Sequence, residues 1–122
     1  MVAPVLRVRD LKASITWYRD RLGLTPGYVS PAGATEPLAS FDLGGPLVLW
    51  QLPAGVVRDR DHDDRNSHIV VVVDGPLGTV RDRLVAQGVE VTEIRAGSDN
   101  EYFDLYDPDA NRFEISRPRI DR

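Results

Sequence analysis

The chain carries one plan twice, with a shift of about 65 residues between the copies. Asp10 precedes a stretch in which Leu11, Ile15, Tyr18 and Leu22 recur at helical spacing, and Gly23 follows it. This predicts a helix over Leu11–Leu22, capped by Asp10 and stopped by Gly23. Asp74 precedes the second such stretch, and Gly88 ends it. There Gly75-Pro76 opens the helix with proline in its first turn, and Leu77, Val80, Leu84 and Val85 give the apolar face. Around the helices the pattern predicts strands at 3–8, 25–30, 38–43 and 47–52, then at 68–74, 89–94, 101–106 and 112–116. The run HIVVVVD is the strongest of them, being almost continuously β-branched. Gly44-Gly45-Pro46 and Asp107-Pro108-Asp109-Ala110-Asn111 are turns. The expected fold is α+β, with two βαβββ modules in one domain of 122 residues. Module one covers about 1–53, a charged linker about 54–67, and module two about 68–118. A copy of about 55 residues buries its helix and sheet poorly alone, so the copies are expected to share a core.

Composition removes several functions. With no cysteine, disulfide scaffolds, zinc-thiolate sites, iron–sulfur clusters and thiol nucleophiles are excluded. His62 and His68 are the only histidines, so a metal would lean on carboxylates or a second chain. His62 sits among Asp61, Asp63 and Asp64, without the glycine and spacing of a calcium loop, and reads as part of a solvated run. A net charge of −4 argues against a nucleic-acid partner. No apolar run reaches the roughly 20 residues of a membrane helix, so no membrane partner is expected. The opening MVAPVLRVRD lacks the basic-then-apolar order of a signal peptide, and a cytoplasmic location is expected.

The stretch VLRVRDLKASITWYRDRLGL resembles the opening strand and helix of the vicinal oxygen chelate superfamily, which includes glyoxalase I, bleomycin resistance proteins, fosfomycin resistance enzymes and extradiol dioxygenases. HIVVVVD and the ending YFDLYDPDANRFEI are similar to the second module of that family. The resemblance implies two curved mixed sheets forming a cup, a homodimer, and metal ligands on the first and last strands of each module. His68 and Glu114 match such ligands. The corresponding positions of module one fall on Ala3 and on Leu49, or on Trp50 or Gln51 if the turn length differs. Ala3 cannot ligate a metal, and a third donor would require Gln51 to face inward.

Alternation along 112–116 sets Glu114 opposite to Phe113 and Ile115, and alternation along 101–106 sets Tyr102, Asp104 and Tyr106 opposite to Phe103 and Leu105. A buried Glu114 would need a partner, and His68 is the one at hand. Fosfomycin-type relatives touch substrate with the strand that holds Tyr102 and Asp104. Arg7 shares the face of Ala3 and Val5, where a rim salt bridge is the plainer expectation. Trp17 and Tyr18 read as core or interface residues. Ala110 stands where the family usually has glycine.

Two functions follow. One is a protein that captures a small organic molecule in an apolar, aromatic cup, with Val5, Trp50, Gln51, Tyr102 and Tyr106 as wall residues. The other is a lyase, isomerase or dioxygenase-type enzyme whose divalent ion (Mn²⁺, Ni²⁺, Zn²⁺, Fe²⁺ or Mg²⁺) is held by His68 and Glu114, with Asp104 or Tyr102 moving a proton. The shortage of donors favours binding.

Overall fold

A computed structural model describes residues 1–56 and 67–119. The chain forms two compact units, Met1–Asp61 and His62–Arg122. His62 and most of the charged linker lie outside the described residues.

In the first unit, β1 (Val5–Val8), α1 (Leu11–Leu22), β2 (Pro26–Val29), β3 (Leu38–Asp42) and β4 (Pro46–Gln51) follow in order. The helix has the expected bounds for the expected reasons. Asp10 accepts the N–H of Ala13 at 3.1 Å, and Gly23 takes the left-handed turn at φ 72°. The sheet order is β1-β4-β3-β2, with β1 parallel to β4 and the other pairs antiparallel. Val8, Ala39, Phe41, Leu47 and Leu49 are buried on the face that α1 covers with Leu11 and Tyr18. Tyr18 stacks on Phe41 at 5.5 Å, and Trp17 meets its edge at 5.0 Å.

The second unit holds β5 (Ile69–Val72), α2 (Leu77–Ala86), β6 (Glu90–Val91), β7 (Arg95–Ala96), β8 (Asn100–Tyr106) and β9 (Arg112–Pro118). Its sheet order is β5-β9-β8-β6, with β5 parallel to β9 and β7 also on β8. Phe103, Leu105, Phe113 and Ile115 are buried on the helix side, with Leu77 of α2.

Three expectations are corrected. The strand expected at 89–94 shrinks to β6, and a separate short strand, β7, follows it at Arg95–Ala96. Thr92 is the cause: its hydroxyl accepts the N–H of Asp104 at 2.9 Å, and its carbonyl accepts from Arg81 of α2 at 2.8 Å, so the regular ladder cannot continue. Pro76 is the N-cap of α2 rather than a residue of its first turn, and no side chain caps that end. Val85 is half exposed and lies outside the apolar face.

The β8–β9 turn is tied by Asp107. Its carboxylate accepts from the backbone of Asp109 and Asn111 and from Asn111 Nδ2, at 2.9, 2.8 and 2.8 Å. Ala110 takes φ 61° inside this turn, a conformation a Cβ disfavours. Ala110→Gly is expected to stabilise the chain by about 1 kcal/mol in urea denaturation. An unchanged or lower midpoint would show that the turn bears no such strain.

Candidate functional site

The strand register decides which side chains share a face. In the second unit Phe113 and Ile115 point to the helix, so Glu114 and Ser116 point away, onto the open face of the sheet. Val70 and Asp104 flank Glu114 in register, and Val72 and Tyr102 flank Ser116. Tyr106 flanks Arg112 on the same side. His68, just before β5, brings Nε2 to 3.2 Å from Glu114 Oε1, with side-chain exposures of 25% and 17%. The structure thus brings together a histidine and a carboxylate 46 residues apart in sequence.

The other candidates of this face are more deeply set. Asp104 is 1% exposed, and its Oδ1 lies 3.4 Å from Arg112 Nε without a hydrogen bond. Tyr106 is 7% exposed. Tyr102 is half-buried, as His68 and Glu114 are. The exposed apolar members of the face are Val70 and Val72, at 50% and 63%.

In the first unit the open face carries Val5, Arg7, Val48 and Trp50, with Ser40 and Leu38 opposite Val48 and Trp50. Val5 is half exposed. Arg7 lies over the Trp50 ring, 4.1 Å from its centroid, where a cation is attracted to the indole face. Gln51 does not join them. It follows the parity of Leu47 and Leu49, and its Oε1 accepts the N–H of Leu11 at 2.9 Å. Its carbonyl oxygen therefore closes one of the free N–H groups at the start of α1 and is no inward-facing donor on the open face.

Comparison of the units corrects the expected ligand position in module one. The residue between the two buried helix-side residues of the last strand is Glu114 in β9 and Val48 in β4. Their cross-strand partners, Val70 and Val5, agree with that match. The counterpart of Glu114 is therefore Val48, and Leu49 is turned to the helix and fully buried. Ala3, the counterpart of His68, precedes β1 and is exposed. A catalytic zinc site takes three protein ligands plus an open position. Among the described residues no cluster of three or more His, Cys, Asp or Glu side chains could hold a metal ion. His68 and Glu114 have the right donor chemistry for a divalent ion, but among the described residues the set stops at two.

Two sheets of mixed strands, each with one helix, define an α+β protein built on a duplicated module. A family model for the Glyoxalase/Bleomycin resistance protein/Dioxygenase superfamily matches residues 1–115, and the chain belongs to that superfamily. Among solved structures it is similar to a glyoxylase/bleomycin resistance protein/dioxygenase domain from Frankia sp. EAN1pec, at 23% identity and TM-score 0.78, covering 98% of this chain and 91% of that one. It is also similar to FosX, a fosfomycin resistance protein from Listeria monocytogenes, at 18% identity and TM-score 0.75, covering 98% and 91%. A FosX variant solved with Mn(II) and 1S,2S-dihydroxypropylphosphonic acid is 18% identical, with TM-score 0.68 over 94% and 86%. At these identities the likeness is one of fold. No curated protein matches. No helix among the described residues is long and apolar enough to cross a membrane.

The residue that sequence reasoning missed is Ser116, 6% exposed beside Tyr102 on the open face. A serine closing a strand carries no pattern of its own. The Asp104–Arg112 pair yields a prediction. Arg112→Met leaves a buried carboxylate without its counter-charge and is expected to cost about 3 kcal/mol in urea denaturation. Adding Asp104→Asn is expected to restore part of that loss, and strictly additive losses would show that the two groups do not interact.

Proposed function

We propose that this chain binds a small organic molecule against the apolar and aromatic open faces of its sheets. One observation carries the reading: the positions that match His68 and Glu114 are occupied in the first unit by Ala3 and Val48. The faces keep apolar and aromatic contacts while half of the polar donors are gone. Val5, Val48 and Trp50 supply such contacts in one unit, and Val70, Val72 and Tyr102 in the other. Beside Trp50 lies a hollow of about 420 Å³, lined in part by Pro37, Leu52 and Pro53, within the usual range of small-molecule sites. The proposal extends to a homodimer in the cytoplasm, the assembly and location expected from the sequence.

A second reading, a divalent-metal enzyme, is favoured by the 3.2 Å contact between His68 and Glu114. It needs waters and substrate oxygens to complete the coordination, as Mg²⁺ and Mn²⁺ tolerate.

Screening small aromatic compounds by melting temperature tests the binding reading, because a ligand of the native state raises that temperature by mass action. Trp50→Leu is expected to weaken hits that bind the face of the first unit, and Tyr102→Leu hits that bind the face of the second, by about tenfold in each case, the loss of a central aromatic contact. Hits whose affinity neither substitution changes would show that these faces are not where the molecule binds.

A further inference from the structure

We infer that Ser116 forms a second polar subsite, a hydrogen-bond donor for an acceptor oxygen of the ligand, set beside the His68–Glu114 pair. The inference rests on the binding reading above and names the ligand chemistry that the face of the second unit would select.

The hydroxyl of Ser116 is oriented from within the protein. Asn100 Nδ2 donates to Ser116 Oγ at 2.8 Å, so one lone pair of the hydroxyl is already used. The hydroxyl retains its proton, and that proton has no acceptor among the described residues. Asn100 is held in turn by what residue 97 lacks. A Cβ on Gly97 would coincide with the space occupied by Asn100 Oδ1, and the Gly97 N–H donates to the Asn100 carbonyl at 2.8 Å. Gly97 thus lets the Asn100 amide fold back and present its Nδ2 to Ser116.

The setting of the hydroxyl fits a ligand contact. Ser116 is 6% exposed, while its cross-strand neighbour Val72 is 63% exposed and Tyr102 is half-buried. The small side chain lies in register between two larger ones. A hydroxyl proton with no protein acceptor is free to donate to one that a ligand brings. A ligand acceptor seated between Val72 and Tyr102 would satisfy it.

The spacing adds a length. Glu114 and Ser116 are two residues apart on one strand, so their side chains project about 6.8 Å apart. Val70 and Val72 run alongside them on β5. The face therefore suits a short molecule with three parts: a donor group for the His68–Glu114 pair, an apolar span for the two valines, and a carbonyl-type oxygen for Ser116. This describes amino- or hydroxy-terminated amides, esters and ketones of about four carbons between the polar ends.

Two amines of similar length test it: 4-aminobutanamide, which carries the oxygen, and pentylamine, which does not. Binding of each to the isotope-labelled full chain is followed by NMR at His68, Val70 and Val72. The amide is expected to bind the wild-type chain roughly fivefold to tenfold more tightly, the usual effect of one hydrogen bond. That ratio should fall to about one in Ser116→Ala and Asn100→Leu. Ser116→Thr, which keeps the hydroxyl, should retain it. Gly97→Ala should behave as Asn100→Leu does, because the added methyl displaces the Asn100 amide while the backbone of residue 97 tolerates it. Equal affinity of the two amines for the wild-type chain, or a preference that survives in Ser116→Ala, overturns the subsite and leaves the binding reading standing. Failure of both amines to shift any of the three signals overturns the subsite, and the binding reading is then decided by the aromatic screen alone.

Discussion

The parallel pairing of each unit's first strand with its last is the constraint on which the rest depends. A parallel pair needs a crossover, and here the crossover helix covers one face of each sheet. That fixes a helix side and an open side for every strand by alternation. It also seats residues from opposite ends of a unit beside one another. His68 reaches Glu114 because β5 lies against β9, and Arg7 reaches Trp50 because β1 lies against β4. Without this pairing neither contact would form.

The same pairing shows which residues of the two units correspond. Their sheets have the same order, yet the last strands are offset by one residue more than the first strands. The β8–β9 turn, tied by Asp107 and containing Ala110 at positive φ, differs from the Gly-Gly-Pro turn between β3 and β4. A slip of one residue exchanges the faces of a strand. A uniform offset therefore points to Leu49, and pairing in the folded unit points to Val48. At the matched positions one unit offers a histidine and a glutamate, the other an alanine and a valine.

Much of the fold was legible in the residues. The bounds of α1, the order of strands, and the separation of Glu114 from Phe113 and Ile115 follow from periodicity and from capping residues. So does the need of a half-buried Glu114 for His68. What was not legible depends on partners distant in sequence. Gln51 reads as a polar wall residue until Leu11, 40 positions away, is seen to donate to it. Thr92 reads as an ordinary strand threonine until Asp104 and Arg81 are seen to take its polar atoms. The depth of Asp104 and the oriented hydroxyl of Ser116 likewise arise from neighbours across the sheet, which no local pattern encodes.

Among the described residues the metal-donor set stops at two, His68 and Glu114, too few for a firmly held metal. Calorimetric titration of the chain, purified without chelators, with Mn²⁺ and then Zn²⁺ measures it directly. The account predicts no binding tighter than about millimolar, roughly 4 kcal/mol or less at 1 M standard state, and the same isotherm for His68→Ala. Stoichiometric micromolar binding that His68→Ala abolishes would contradict it and place a metal site at His68.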